Sequence, residues 1–408
     1  MRELSYPKSK INVLLLEKVD KIAFDLFKEE GYNVESLDGS LNKKDLIKKI
    51  KDVSILGIRS KTIISNKVIK SANKLLAIGA FCIGTNQIKF ESCNDSGIVV
   101  FNAPYSNTRS VVEIVIAQII NLMRKIIIKS NKMHSGVWRK DSLDSFEIRN
   151  KVIGIVGYGN IGSQLSVICE ALGMKVLYYD IVDKLSIGNA KKCKSLNDLL
   201  QNSDIVSLHV DGKKGNTNLI SDKEFSIMKE KSILVNYSRG NVVDINSLIK
   251  NIKSKKIMGA ALDVFPEEPS NNTEKFKSKV KGIEEIILTP HIGGSTKEAQ
   301  KNIGSYVPDK IIDFINSGNT SSSVNFPKLS LPEQSDSHRL IHIHKNQPGV
   351  MLKINKIISE YNINIKGQYL KTNEEIGYVI TDIDSVYNKE VVKSLKNILA
   401  TIKLRVLY

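Results

Sequence analysis

The stretch Gly157-Tyr158-Gly159-Asn160-Ile161-Gly162 lies between a predicted strand and a predicted helix. The apolar run 151–156 precedes it and has the length of one buried strand, and residues 163–172 are typical of a helix. A second predicted strand, 175–179, then leads to Asp180. A glycine-rich turn within a strand–helix–strand unit that is followed by an acidic residue is typical of a dinucleotide-binding site.

Each glycine of this turn has a separate mechanical role. Gly157 allows the tight turn, Gly159 allows the backbone to approach a pyrophosphate, and Gly162 allows the helix to pack closely on the strand. The amides at the start of the helix then face the phosphates. The carboxylate of Asp180 would accept hydrogen bonds from the adenosine ribose and repel a 2′-phosphate, so the sequence favours NAD over NADP.

Length and composition place the chain among ordinary globular proteins. It has 408 residues, a formal net charge of +17 and 41% hydrophobic residues, and it has no apolar run of membrane-spanning length. The lysines are dispersed and no nucleic-acid motif is present, so abundant Lys, Asn and Ile codons explain the charge better than nucleic-acid binding. The four cysteines lack metal-site spacing and the start of the chain lacks a signal peptide. We therefore expect a cytoplasmic protein with reduced thiols, no metal, and no nucleic-acid or membrane partner.

The order of predicted elements divides the chain into domains. Residues 1–106 alternate strands and helices, and 295–316 are assigned to the same domain; residues 107–294 begin with a long predicted helix, 108–133, and continue as a second strand–helix series. Such alternation indicates two doubly wound parallel sheets. Residues 317–337 have the composition of a linker. Residues 338–408 follow a βαββαβ order, which is typical of a ferredoxin-like domain.

Two details of the long helix are also predicted. The spacing of Ser110 and Glu113 favours a capping box at its start. The helix is expected to run without interruption to Met133.

Three loops after predicted strands of the second series carry the residues suited to reaction chemistry. They contain Arg239, Glu268 and His291. Ligands bind at the carboxyl ends of parallel strands, where such loops meet. Hydride transfer to a carbonyl requires a group that polarises the carbonyl and a group that supplies a proton. A guanidinium suits the first role and an imidazole the second.

The chain resembles the D-isomer-specific 2-hydroxyacid dehydrogenases, and in particular those with a C-terminal ACT domain. The resemblance covers nearly the whole chain. It is carried by Ile78-Gly-Ala-Phe-Cys-Ile-Gly-Thr-Asn86, Phe101-Asn-Ala-Pro-Tyr-Ser-Asn-Thr-Arg109, Ser238-Arg-Gly-Asn-Val-Val-Asp244 and Pro290-His-Ile-Gly-Gly-Ser-Thr296. It implies a substrate-binding first domain, a Rossmann NAD-binding domain at 107–294, and an ACT regulatory domain at 338–408.

The resemblance also implies roles for individual residues. His291 would be the general acid–base, Glu268 would hold its imidazole and favour the protonated form, and Arg239 would bind the substrate carboxylate. Tyr237 stands where the resemblance leads us to expect a small residue. The implied cofactor contacts are Gly157, Gly159, Asn160, Ile161, Gly162, Asp180, Tyr237, Ser238, Arg239, Asp263, His291, Ile292, Gly293 and Gly294.

Substrate and effector residues follow from the same resemblance. The implied substrate contacts are Arg59, Ser60, Asn107, Arg239 and Gln300. In family members that are regulated by serine, the positions of His344, Asn346 and Asn364 bind L-serine between paired ACT domains. A tail that only helps the chain to dimerise is the alternative.

The expected reaction is NAD-dependent oxidation of 3-phospho-D-glycerate to 3-phosphohydroxypyruvate, which opens L-serine biosynthesis. We also expect reduction of 2-oxoglutarate at the same site, feedback inhibition by L-serine and a homotetramer. Three alternatives remain: a dehydrogenase for another D-2-hydroxy acid, an NAD-responsive scaffold, and an amino-acid sensor with an inactive dehydrogenase body.

Overall fold

The computed structural model describes residues 7–269, 273–332, 337–384 and 389–407. These residues belong to two compact units. The first unit comprises residues 1–106 and 300–408, and the second comprises residues 107–299.

The first unit begins with a five-stranded parallel sheet in the order β2-β1-β3-β4-β5. Its strands and helices are β1 (Asn12–Leu15), α1 (Lys21–Glu29), β2 (Asn33–Ser36), α2 (Lys43–Lys49), β3 (Ile55–Ile58), α3 (Asn66–Lys70), β4 (Ala77–Ala80), α4 (Phe90–Asp95) and β5 (Val99–Asn102). Strands β3, β4 and β5 are buried along their whole length, because helices cover both faces of a doubly wound sheet.

The second unit holds a seven-stranded parallel sheet in the order β12-β11-β10-β9-β6-β7-β8. Its elements are α5 (Thr108–Arg124), α6 (Ile126–His134), β6 (Val152–Val156), α7 (Asn160–Ala171), β7 (Lys175–Tyr179), β8 (Lys191–Lys192), α8 (Leu196–Asn202), β9 (Ile205–Leu208), α9 (Asp222–Ile227), β10 (Ser232–Asn236), α10 (Ile245–Lys253), β11 (Ile257–Leu262) and β12 (Ile286–Leu288). The chain leaves β6 towards β7 on one side and later returns to β9 on the other. The glycine loop after β6 therefore lies at the topological switch point, where such sheets bind ligands.

The C-terminal sheet of the first unit is antiparallel, in the order β14-β15-β13-β16. Its elements follow the long helix α11 (Lys297–Ser317) and are β13 (His338–Lys345), α12 (Val350–Glu360), β14 (Ile365–Thr372), β15 (Ile376–Ile383), α13 (Lys389–Lys396) and β16 (Thr401–Leu407). One face packs on α12 and α13, and the other face joins the core of the first sheet through Ile341 and Tyr378. The predicted fold class, with two doubly wound parallel sheets and a ferredoxin-like tail, is confirmed.

The long predicted helix is wrong in two details. It breaks at Lys125, whose φ of 51° ends α5 and precedes α6. Its start carries no capping box, because the helix begins at Thr108 and Ser110 already lies within its first turn. Ser110 Oγ lies 2.8 Å from Thr296 Oγ1, and Glu113 pairs with Arg109.

The described part of the predicted linker packs along β5. Asn325 Oδ1 accepts a hydrogen bond from Val100 N at 2.8 Å, and its Nδ2 donates to Ile98 O at 3.0 Å and to Asn94 Oδ1 at 2.8 Å. Thr320 is buried and donates to Pro327 O at 2.7 Å. A polar composition here provides buried hydrogen bonds to neighbouring backbone rather than solvent exposure.

Candidate active site

The glycine loop has the close contacts that its sequence predicts. A Cβ at Gly162 would lie 2.2 Å from Gly157 O, and one at Gly157, whose φ is 93°, would lie 2.5 Å from His209 O. At Gly159 a Cβ would meet no described atom within 4 Å. Two glycines are therefore required by packing, whereas Gly159 leaves open space beside the start of α7. No described side chain caps that helix terminus.

Asp180 holds the same loop from the end of β7. Its Oδ2 accepts from Tyr158 N at 2.7 Å, and its Oδ1 accepts from Val182 N at 2.9 Å. The carboxylate is partly exposed and each oxygen has a further lone pair. One side chain therefore orders the turn and retains acceptors for a ribose.

These features fit NAD. The open cradle at Gly159, the uncapped amides of Asn160 and Ile161, and the acidic Asp180 match a pyrophosphate and a ribose diol. His209, next to Gly157, has a buried Nδ1 without a partner among the described residues, and burial lowers its pKa to about 4. A neutral imidazole adds no charge to the cradle.

His291 and Glu268 form the central pair of the site. His291 Nδ1 lies 2.7 Å from Glu268 Oε2, and Glu268 Oε1 accepts from Phe265 N at 3.0 Å. His291 has a φ of 53° and a side chain that is about half exposed. Its Nε2 is therefore the ring nitrogen left for a substrate.

The electrostatics of the pair favour a protonated imidazole. The hydrogen bond that His291 donates to Glu268 raises the pKa of His291 against the effect of burial, and the negative charge of Asp263 raises it as well. Burial raises the pKa of Glu268, but the hydrogen bond and charge of His291 hold it below its usual range. Both directions describe one charged pair.

Arg239 lies close enough for its charge to act on both members of this pair. Arg239 lies in the loop that follows β10. Asn236, the last residue of β10, holds this loop: its Nδ2 donates to Arg239 O at 3.0 Å, and its Oδ1 accepts from Ser238 N and Ser238 Oγ. The next residue, Gly240, approaches so closely that a Cβ would lie 2.0 Å from Phe265 O. That contact joins the loops that carry Arg239 and Glu268.

Asp263 fixes the backbone that follows His291. Its Oδ1 accepts from Thr289 Oγ1 at 2.5 Å and from Ile292 N at 2.9 Å, and its Oδ2 accepts from Gly293 N at 2.8 Å. Asp263 is buried, and three donors offset the cost of burying its charge. Thr289 was not predicted as a site residue, although its position two residues before His291 was a signal.

The remaining predicted residues of the second unit lie around the same loop. A Cβ at Gly294 would lie 2.0 Å from Asn107 Nδ2, and Asn107 Oδ1 is buried without a partner among the described residues. Tyr237 is buried, with its hydroxyl 3.0 Å from Thr289 Oγ1. The structure thus brings Arg239, Glu268, His291 and the loop of Asp263 together in this unit.

The predicted substrate contacts Arg59, Ser60 and Gln300 belong to the first unit. Arg59 and Ser60 follow β3, and the buried carboxylate of Glu17 accepts from Lys61 N at 2.9 Å and Thr62 N at 2.7 Å. Sequence reasoning missed Glu17, whose φ of 66° is the special feature of its loop. Gln300 lies near the start of α11, within the first unit.

The predicted effector residues differ in exposure. His344 is buried, with its Nδ1 2.7 Å from Lys345 O and its Nε2 without a partner among the described residues. Asn346 and Asn364 are exposed; Asn346 Nδ2 donates to Asn373 O at 2.8 Å, and Asn364 Nδ2 donates to Asp384 Oδ2 at 3.1 Å. Within one chain these three side chains share no hydrogen bond among the described contacts.

The described residues contain neither a membrane-spanning helix nor a metal site. No helix in these ranges is long and apolar enough to cross a membrane. No group of His, Cys, Asp or Glu side chains within the same ranges has the arrangement of a metal site.

Two parts of the chain match known protein families. Residues 116–293 match the family described as D-isomer specific 2-hydroxyacid dehydrogenase, NAD binding domain. Residues 340–403 match the AHAS small subunit-like ACT domain. The first match covers the glycine loop, Asp180 and the Arg239, Glu268 and His291 loops.

Curated relatives match the chain from end to end. It is 48% identical over 404 residues to D-3-phosphoglycerate dehydrogenase of Dictyostelium discoideum, with 99% of each chain covered. It is 46% identical over 411 residues to the enzyme of that name from Escherichia coli strain K12, with 100% of each covered. The D-lactate dehydrogenase of Aquifex aeolicus, solved with NAD and lactic acid, shares the fold, with a TM-score of 0.68 and 24% identity over 78% of this chain and 100% of that one. The chain therefore belongs to the D-isomer specific 2-hydroxyacid dehydrogenase family, among its D-3-phosphoglycerate dehydrogenases.

Proposed function

We propose that this chain catalyses the NAD-dependent oxidation of 3-phospho-D-glycerate to 3-phosphohydroxypyruvate, the first step of L-serine biosynthesis. The observation that carries the proposal is the His291–Glu268 pair, joined at 2.7 Å and placed beside Arg239. The full-length relatives named D-3-phosphoglycerate dehydrogenase support the choice of substrate.

The chain's own residues perform the proton transfer. When bound, NAD supplies the acceptor for the hydride. His291 removes the hydroxyl proton at Nε2 during oxidation and returns it during reduction, while Glu268 holds the ring through Nδ1. A positive imidazolium beside Glu268 is more stable than an isolated one, so the ring can hold the proton taken from the hydroxyl and then release it to solvent before the next oxidation.

Charged and amide groups orient the substrate. Arg239 binds the carboxylate and polarises the adjacent carbonyl, a task for which its planar fork is suited. Asn107, with a buried oxygen free of partners in the described structure, provides a further polar contact. Arg59 and Ser60 bind the phosphate, and Glu17 holds their loop in place. Gln300 provides a further contact with the substrate.

The ACT domain regulates the enzyme by binding L-serine at His344, Asn346 and Asn364. A hydrogen-bonded route within the first unit supports this assignment. Asn346 N donates to Glu375 O at 2.9 Å, and Glu375 Oε2 accepts from Asn94 Nδ2 at 2.6 Å, next to the first sheet. Serine inhibits if it binds one arrangement of these contacts better than another.

Assembly and location complete the proposal. The edge strand β14 exposes Tyr369 and Leu370, which suits pairing with a second copy, and the assembly is a homotetramer. The four cysteines form no disulfide among the described residues, which fits the reducing cytoplasm.

The test is a panel of 2-oxo acids reduced with NADH, with and without L-serine. We expect 3-phosphohydroxypyruvate to be the best substrate, 2-oxoglutarate to be a slower one, and serine to inhibit. Preference for an unphosphorylated 2-oxo acid would contradict the substrate assignment. Absence of turnover with every acid, while NADH still binds, would favour a scaffold or a sensor.

A further inference from the structure

Tyr237 lies at the start of a chain of hydrogen bonds that ends at the His291 loop. Its hydroxyl lies 3.0 Å from Thr289 Oγ1, and Thr289 donates its own proton to Asp263 Oδ1 at 2.5 Å. A threonine hydroxyl has only one proton, so Tyr237 must be the donor to Thr289. Asp263 then accepts from the backbone of Ile292 and Gly293, the two residues that follow His291.

Gln118 of α5 also lies near the Tyr237 hydroxyl. Against the effect of burial, it acts to lower the pKa of Tyr237, and its Oε1 accepts from Asn121 Nδ2 at 3.2 Å. Gln118 and Tyr237 are both buried, and burial raises the pKa of Tyr237 to about 12. The phenol therefore keeps its proton and remains a donor throughout the working pH range.

The ring of Tyr237 supports the loop as well. A Cβ at Gly293 would lie 3.2 Å from Tyr237 Cδ1 and 3.0 Å from Asp263 Oδ2. The aromatic ring and the carboxylate thus leave Gly293 little room to move. His291 has a left-handed φ of 53°, a conformation that persists only where the surroundings hold it.

We propose that Tyr237 is a positioning residue for the reaction, acting through Thr289 and Asp263 to hold His291 in line with Glu268. The inference rests on the proposed function, because it assigns the work of Tyr237 to the acid–base step. This role differs from a direct contact between Tyr237 and the nicotinamide, because the hydroxyl already donates its proton to Thr289.

The variant that isolates this role is Tyr237→Phe, which removes the hydroxyl and keeps the ring. We expect kcat for reduction of 3-phosphohydroxypyruvate to fall about 5- to 20-fold, the effect of one lost buried hydrogen bond on a catalytic geometry. The KM for NADH should stay within about twofold. Reduction uses protonated His291, so its rate falls as pH rises through the pKa of His291. A looser Glu268 contact lowers that pKa, and the alkaline limb of the profile should move to lower pH.

Two further variants make the test decisive. Thr289→Val interrupts the route, so Tyr237→Phe added to it should cost almost nothing more. Tyr378→Phe removes another buried tyrosine hydroxyl, which donates to Gly318 O at 2.6 Å in the first unit, and should leave the alkaline limb where it is. Thermal unfolding of each variant separates loss of fold from loss of function.

The outcomes separate this inference from the proposed function. Wild-type protein that binds NADH and reduces no 2-oxo acid contradicts the proposed function. Active wild type with a normal kcat and an unmoved alkaline limb in Tyr237→Phe overturns the role of Tyr237. Losses that multiply in the double variant would show that Tyr237 acts by another route than Thr289.

Discussion

The loop of His291 and the strand of His342 and His344 show two opposite uses of imidazole in one chain. His291 is half exposed, contacts a carboxylate and has a raised pKa. His342 is buried, bonds Thr401 Oγ1 at 2.7 Å, and has a pKa lowered to about 4, first by burial and then by the charge of His344. A carboxylate partner favours the charged ring of His291, whereas burial favours the neutral ring of His342.

The two regions also differ in how completely their polar groups are paired within one chain. The His291 loop is held by donors that converge within one unit, so its chemistry is arranged before substrate arrives. At the end of β13, Asn346 is exposed and His344 has a buried nitrogen without a partner in the described structure. Asn364 precedes β14, at the opposite end of the sheet, and donates to Asp384. The proposed effector groups are therefore apart within one chain, and the proposed site requires a second copy.

The largest expected effect tests whether only His291 carries the chemistry. His291→Asn should lower kcat by a factor on the order of 10²–10⁴, because the acid–base group is lost, while NADH binding followed by fluorescence is retained. His342→Asn should keep near-normal turnover. Near-normal turnover in His291→Asn would remove the distinction between the two rings.

The second effect tests the carboxylate partner. Glu268→Gln keeps the shape of the side chain and removes the charge that raises the pKa of His291, so kcat for reduction should fall about tenfold. Reduction needs the protonated ring of His291, so the alkaline limb of its pH–rate profile should shift to lower pH. Oxidation needs the neutral ring, so its acid limb should shift in the same direction. Rate profiles in both directions measure this, and an unmoved limb would separate Glu268 from the titration of His291.

The third effect tests the effector turn. Asn346→Ala should weaken inhibition by L-serine by about tenfold, the value of one or two hydrogen bonds, with little change in uninhibited turnover. Gln347→Ala, the exposed neighbour, is the matched control and should retain normal inhibition. A serine titration of both variants provides the comparison. Inhibition that is equal in the two would place the effector elsewhere.

The last effect concerns stability rather than activity, and it appears below neutral pH. His342 has a folded pKa of about 4 against about 6.5 when unfolded, so its contribution is complete above pH 6.5 and is lost as pH falls through that window. At pH 5 the cost is roughly 2 kcal/mol. In urea unfolding followed by hydrogen exchange of the tail amides, His342→Gln should lose less stability than wild type between pH 7 and pH 5. An equal loss in the two would mean that another group titrates there.

Much of the site could be predicted because it depends on short patterns. The glycine spacing, the acidic residue after β7 and the three loops after β10, β11 and β12 are local in sequence, and parallel pairing places such loops at one edge. Glu17 and Thr289 were missed because their roles depend on partners in other loops. The prediction of an uninterrupted helix was wrong because Lys125 adopts a left-handed conformation, which a lysine in the sequence does not indicate.

The sequence by itself determined the two strand–helix series, the ferredoxin-like order of the tail, and the glycine turn with its acidic residue. Each follows from periodicity and from the backbone freedom of glycine, which are properties of neighbouring residues. Only the tertiary structure decided that the carboxylate of Asp263 accepts hydrogen bonds from Thr289, Ile292 and Gly293. It likewise decided that Tyr237 points its hydroxyl into that network. Hydrogen bonds between distant loops depend on how the strands align and how the side chains pack, and neither is encoded in any one segment.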